Sequence, residues 1–138
     1  VLDVNLTGAF RFAKAAGRIL RKVEGGRLIF VSSLAGMHGN RNQANYAAAK
    51  GGVGALAKSL AKEFAPYGVT VNAVAPGLID TDMTRRYPEE LREQGRQQIL
   101  LGRFGSPEEI AHAVAYFASP QAAYTTGQIL RVDGGLEI

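Results

Sequence analysis

The sequence contains no cysteine and no tryptophan, and only two histidines and two methionines. The absence of cysteine rules out a disulfide framework, a thiolate zinc site and a thiol nucleophile, and it fits an intracellular, cytoplasmic protein. His38 and His112 lie far apart with no carboxylate at ligand spacing, so no metal site is expected. Long apolar runs are missing as well. The uncharged stretch from Ala113 to Leu130 is broken by Ser119-Pro120, Thr125-Thr126-Gly127 and Gln128, and reads as helix, turn and strand rather than a membrane span. The first residues lack the basic, apolar and small-residue pattern of a secretion signal. Blocks of one charge are absent too: the net charge of +4 comes from scattered Arg and Lys. With no zinc-finger or RNA-recognition signature beside it, this charge makes neither nucleic acid nor a membrane an expected partner.

What remains is ordinary globular material, 46% hydrophobic and 20% charged over 138 residues, sufficient for one domain with a buried core. Val1 is not an initiating methionine and helical periodicity runs from the first few residues, so residues 1–138 are expected to be part of a larger domain.

From Asp3 to Lys22 the apolar residues Val4, Phe10, Ala13, Ile19 and Leu20 follow helical spacing, with Lys14, Arg18 and Arg21 on the other side. After the break at Gly25-Gly26, Arg27 to Val31 is a short apolar run of the kind buried in a parallel sheet. Ser32 to Asn42, rich in Ser, Gly and Asn, predicts a loop, and the Ala-rich, proline-free Gln43 to Ala65 a second long helix. Val69 to Ala75 is a β-branched strand that stops at Pro76-Gly77. Leu78 to Gly105 is polar and weakly periodic, a lid-like excursion with one helix around Pro88 to Leu101. Ser106-Pro107-Glu108-Glu109 supplies a cap, a proline at the first helical position and two acids at the positive end of a helix running to about Ser119. A turn at Tyr124 to Gly127 leads to a last strand, Gln128 to Val132, which exits at Asp133-Gly134-Gly135.

Strands separated by helices imply a parallel sheet with right-handed crossovers. The expected fold is therefore α/β: three strands with flanking helices, forming the C-terminal part of a Rossmann-like, doubly wound sheet. Its N-terminal phosphate-binding half is absent. No glycine-rich turn joins a strand to a helix, since Gly51-Gly52-Val53-Gly54 falls inside a helical stretch.

Tyr46 and Lys50 stand four residues apart on one helix, which puts a phenol and an ammonium on the same face. A cation beside a phenol stabilises the phenolate, giving a general acid for carbonyl reduction and a base for the reverse. Taken alone, the spacing favours an ordinary surface pair, just as Ser33 alone reads as a strand terminus and Asn5 as a solvated helix residue.

The wider pattern is more specific. Val31-Ser32-Ser33-Leu34-Ala35-Gly36 followed by Gln43-Ala44-Asn45-Tyr46-Ala47-Ala48-Ala49-Lys50 resembles the active-site segment of short-chain dehydrogenases/reductases, including the 13-residue step from serine to tyrosine. The resemblance implies that Ser33 bonds the substrate carbonyl, Tyr46 donates the proton, and Lys50 holds the nicotinamide ribose and tunes the tyrosine. Asn5, in Asp3-Val4-Asn5-Leu6-Thr7-Gly8, matches the helix asparagine that anchors a relay water. Asn72 to Thr81 is similar to the family's strand-end turn, where Pro76, Gly77 and the backbone near Ile79 meet the carboxamide and Thr81 the cofactor phosphates. Tyr124 to Gly135 resembles its last strand.

The subclass implied is that of the 3-oxoacyl-acyl-carrier-protein reductases, on Gly39-Asn40 before the tyrosine segment and Leu101-Gly102-Arg103-Phe104-Gly105 before the capped helix. With it come NADPH rather than NAD as reductant, a small-molecule or carrier-bound carbonyl substrate, and a homo-oligomer, dimer or tetramer, built on the two long helices. The two basic docking positions of such reductases align with Glu24 and Tyr67, leaving Arg21, Lys22 or Arg41 as substitutes. Sugar and other alcohol dehydrogenases are the alternative substrate class. An inactive fragment that only self-associates, through the edge of the strand at Arg27 to Val31 or the two long helices, is the alternative function. Arg85-Arg86 and Arg92 with Arg96 read as a solvated lid face rather than a phosphate clamp.

Overall fold

A computed structural model describes residues 1–136. Three strands, β1 (Arg27–Val31), β2 (Thr70–Pro76) and β3 (Ile129–Val132), form one parallel sheet in that order, with Arg27 opposite Thr70 and Ala73 opposite Ile129. Five α-helices surround it: α1 (Gly8–Leu20), α2 (Ala35–His38), α3 (Ala44–Phe64), α4 (Glu89–Gln98) and α5 (Pro107–Ala118).

The alternation of side chains along each strand sets the layers. Leu28, Phe30, Val71 and Ala73 point to one face, where they meet Val53, Ala57, Leu60 and Phe64 of α3 and Ala13 of α1. Val74 points the other way, to Ala113 and Phe117 of α5, with Ile29 and Val132 beside it. Residues Thr70 to Ala75 of β2 are therefore buried throughout, as a central parallel strand covered on both faces must be. Asn72, the fully buried polar residue in this strand, is satisfied by partners distant in sequence: its amide donates to the Thr125 carbonyl at 2.8 Å and its oxygen accepts the Gln128 N–H at 3.0 Å. It staples β2 to the turn that launches β3.

Helix α5 starts where its cap predicts. Ser106 accepts the Glu109 N–H, Glu109 reaches back to the Ser106 N–H at 2.7 Å, and Pro107 opens the first turn.

Three features differ from expectation. The first helix begins as a π-helical turn, Asp3–Thr7, and only then becomes α1. The predicted loop after β1 contains the short helix α2. The large apolar residues of this stretch also face outward: Val4 in the π turn and Phe10, Phe12 and Ile19 in α1 are exposed, while the buried positions of α1 are the small residues Ala13 and Gly17. A side chain on Gly17 would come 2.5 Å from the Phe64 ring, so α1 meets α3 through its smallest residue.

The glycines inside α3 serve the same purpose of close approach. Cβ atoms built at Gly51, Gly52 and Gly54 would meet the Gly36 carbonyl oxygen at 2.9 Å, the Leu6 side chain at 2.7 Å and the Ile129 side chain at 2.8 Å. Helix α3 is thus pressed at once against α2, the π turn and β3.

Candidate active site

The candidate residues gather at the carboxyl ends of β1 and β2, where ligands sit in open α/β sheets. The ladder continues beyond β1: Ser32 N–H donates to the Val74 carbonyl at 2.7 Å and Leu34 N–H to the Pro76 carbonyl at 3.3 Å. These bonds fix Ser33 between them and join its loop to the Pro76-Gly77 turn. The Ser33 hydroxyl oxygen accepts the Ala35 N–H at 3.3 Å. A hydroxyl so engaged keeps its proton to donate elsewhere.

Helix α3 brings the other two groups. Tyr46 and Lys50 lie one turn apart, with the ammonium nitrogen 5.7 Å from the phenol ring centroid. Lys50 Nζ donates to the Val31 carbonyl at 2.9 Å, and the Lys50 carbonyl accepts the Ser32 hydroxyl at 2.8 Å. Burial holds the Lys50 pKa below that of a free lysine, because the charged form is deprived of water. The loop and helix are locked by backbone contact, since a Cβ on Gly36 would stand 2.5 Å from both the Gly51 nitrogen and the Lys50 carbonyl carbon.

Asn5 lies in the π turn, a local geometry common at functional sites. Its side-chain amide donates to the Val1 carbonyl at 3.2 Å, leaving the amide oxygen as an acceptor. Leu6, packed on Gly52, presses this turn onto α3 two residues beyond Lys50. Sequence periodicity carried no sign of the π turn.

On the second strand, Gly77 N–H donates to the Val132 carbonyl at 3.0 Å, and a side chain there would collide with Asp133. Ile79 is bridged to Gly105, with Asp80 N–H on the Gly105 carbonyl at 2.8 Å and Gly105 N–H on the Leu78 carbonyl at 3.0 Å. Thr81 sits in the next turn, its N–H donating to the Thr84 hydroxyl at 2.9 Å. Thr84 was not singled out from the sequence; the Thr-x-x-Thr spacing is the signal that could have marked it. Leu34, Gly39, Pro76, Gly77 and Leu136 line a shallow depression between the two segments.

The lid arginines are mostly engaged. Arg85 grips both oxygens of Asp80 at 3.2 Å and Arg92 lies 3.5 Å from the same carboxylate, which Arg85 above all holds below its usual pKa. Arg96 pairs with Glu89 and Glu93. Among the described residues, no group of three or more His, Cys, Asp or Glu could hold a metal, and no helix is long and apolar enough to cross a membrane.

A parallel α/β sheet carrying a serine, a Tyr-x-x-x-Lys helix and a strand-end Pro-Gly turn at one edge defines a class, and the chain belongs to the short-chain dehydrogenase/reductase family. The family profile described as "Enoyl-(Acyl carrier protein) reductase" matches residues 1–137. Among individual proteins, the chain is 52% identical to the 3-oxoacyl-[acyl-carrier-protein] reductase of Vibrio cholerae, over 99% of this chain and 56% of that protein. To the protein of the same name from Escherichia coli it is 48% identical over the same shares. The crystal structure of 3-oxoacyl-[acyl-carrier protein] reductase from Brucella melitensis superimposes with a TM-score of 0.93 at 32% identity, covering 97% of this chain and 50% of that one. The chain spans about half the length of the curated relatives it matches.

Proposed function

We propose that the enzyme containing this chain is an NADPH-dependent carbonyl reductase acting on 3-oxoacyl groups carried by acyl-carrier protein. The observation that supports this reading is the tie of the Lys50 ammonium, beside the Tyr46 ring, to the Val31 carbonyl at the end of β1, two residues before Ser33. NADPH and the carrier-bound substrate follow from the likeness to the named reductases.

The groups present fit the nicotinamide and ribose end of a dinucleotide. Lys50 offers an ammonium to ribose hydroxyls, the Ile79 carbonyl an acceptor to the carboxamide, and Thr81 a hydroxyl, with Pro76 and Gly77 forming the wall. A glycine-rich cradle for the pyrophosphate does not occur among the described residues. When bound, the reduced nicotinamide supplies the hydride. Ser33 donates its free hydroxyl proton to the substrate carbonyl oxygen, orienting and polarising it. Tyr46 delivers a proton to that same oxygen, and the Lys50 ammonium stabilises the negative charge left on the phenol. Lys50 gives up its own proton more readily because it is partly desolvated. A water held by the free Asn5 oxygen resupplies it.

Arg21, whose guanidinium lies 5.0 Å over the Tyr67 ring, is the cation that substitutes at the carrier-docking position. The exposed apolar residues of α1 support assembly into a homo-oligomer. The rival reading, an inert self-associating fragment, is supported by β1, which among the described residues pairs only with β2.

A substrate panel on the full-length gene product tests the proposal: 3-oxoacyl and enoyl thioesters, sugars and steroids, each with NADPH. Oxidation of NADPH is expected with the 3-oxoacyl thioester; turnover confined to any other class refutes the substrate. Nicotinamide fluorescence on the isolated 138 residues tests the rival, for which weak or absent binding is expected.

A further inference from the structure

We propose that Thr84 is a positioning residue that holds the turn after β2 in the shape needed to receive the nicotinamide end of the cofactor. This inference rests on the carbonyl-reductase reading above.

Residues 78–80 are pinned by backbone bonds to Gly105, but Thr81 to Arg86 have no strand partner. Their far end closes on itself, with Arg85 N–H on the Thr81 carbonyl at 2.9 Å and Arg86 N–H on the Met83 carbonyl at 3.3 Å, and one side chain ties this turn back to Ile79 and Thr81. The Thr84 hydroxyl oxygen lies 2.6 Å from the Ile79 carbonyl oxygen, 2.9 Å from the Thr81 nitrogen and 3.1 Å from the Thr81 carbonyl oxygen. A hydroxyl has one proton and two lone pairs, a carbonyl can only accept and an amide N–H can only donate. The proton therefore goes to the nearer carbonyl, that of Ile79, and the Thr81 N–H fills a lone pair. In return the Thr81 hydroxyl oxygen accepts the Thr84 N–H at 3.5 Å.

Two consequences follow for the site. The Ile79 carbonyl is fixed in direction with one lone pair used and one left for a ligand donor. The Thr81 hydroxyl accepts the Thr84 N–H and lies 3.4 Å from the Thr84 hydroxyl, whose own proton is committed to Ile79, so its oxygen is held in place while its proton turns either to Thr84 or to a ligand. Thr84 thus determines how both of the turn's ligand-facing groups are presented without itself being one of them.

The nearby ion pairs do not perform this task. Asp80 with Arg85 and Arg92 engages side chains on the solvent side, where salt screens the attraction, and bonds neither the Ile79 carbonyl nor the Thr81 amide.

The test compares Thr84→Val, nearly the same shape without the hydroxyl, and Thr84→Ser, which retains it, in the full-length gene product. Affinity is measured for NADPH and for adenosine 2′,5′-bisphosphate, which lacks the nicotinamide half. Thr84→Val is expected to weaken NADPH about fivefold to tenfold, to leave the adenosine probe within about twofold, and to recover with Thr84→Ser. Amide exchange at Thr81, followed without nucleotide, is expected to speed up in Thr84→Val alone. Equal loss for both nucleotides, no loss for either, or no rescue by serine overturns the proposal. A wild-type enzyme that binds no NADPH overturns the reductase reading and this role with it. That outcome is distinguished from a failure of the clasp by the exchange at Thr81, where an unchanged rate in Thr84→Val shows the clasp to be absent.

Discussion

Helices α1 and α3 lie on the same face of the sheet and are built from similar residues, yet they relate to the protein in opposite ways. Helix α3 buries Ala49, Val53, Gly54, Ala57, Leu60, Ala61 and Phe64, and carries Tyr46 and Lys50 at its sheet-facing start. Helix α1 buries only Ala13 and Gly17 and turns its large apolar residues to the outside, with Phe12 and Ile19 each 67% exposed. The difference teaches that amphipathicity states how strong an apolar face is, not what covers it. In α3 the face is covered by the strands of the same chain. In α1 the described residues of the chain leave the face open, and covering it is the role of the assembly proposed above.

Substitutions can break this contrast, and the largest effect is expected from chemistry on α3. Tyr46→Phe in the full-length enzyme should reduce ketone turnover by at least about two orders of magnitude while leaving NADPH affinity unchanged; near-normal turnover refutes the assigned acid. Next comes packing. Phe64→Ala should cost about 3–5 kcal/mol in denaturant unfolding, because the ring is 2% exposed and touches both helices. Gly17→Ala should cost about 1–3 kcal/mol, the price of forcing a methyl into the Phe64 ring.

On α1 the expectation reverses. Ile19→Glu or Phe12→Glu should shift the sedimenting species to a smaller one while stability at fixed assembly state moves by no more than about 0.5 kcal/mol. If either variant unfolds the protein instead, the outward face is part of the core and the comparison fails.

The smallest expected effect serves as a control away from both helices. Glu109, held by Arg103 at 2.7 Å and by the Ser106 N–H, has its pKa lowered to about 2. A carboxyl whose folded-state pKa lies below its unfolded value adds stability above the unfolded value near 4.5, and loses it as pH falls towards 2. Thermal unfolding measured between those limits should fall less steeply with acid in Glu109→Gln than in the wild type. Neither α1 nor α3 variants should alter that slope.

Much of this was legible in the sequence. The three strands were placed to within a residue or so because apolar runs bounded by Gly-Gly, Pro-Gly and Asp-Gly carry their own limits. The start of α5 was legible because its cap, proline and acids act locally. What escaped depends on contacts distant in sequence. Helix α2 is a single short turn with a glycine in it, set in a segment rich in Ser, Gly and Asn, and it is supported by Gly36 lying against Gly51. The outward turn of α1 could not be read from its own residues, since Ala13 and Gly17 are selected by Phe64, more than forty positions later. The family resemblance named Ser33, Tyr46, Lys50 and Asn5. The Thr84 clasp lay outside it, because the Thr-x-x-Thr spacing is a weak signal until the hydroxyl is seen to close on Ile79 and Thr81.

The backbone contact between Gly36 and Gly51 has a bearing on how the candidate site can vary over generations. Every codon change that replaces either glycine adds at least one carbon where none fits, so Ser33 would be levered away from the helix bearing Tyr46 before either of those side chains had been altered. Variation around the candidate site is therefore easier at exposed rim positions such as Asn40, where a side chain can be exchanged while the spacing of Ser33, Tyr46 and Lys50 is inherited intact.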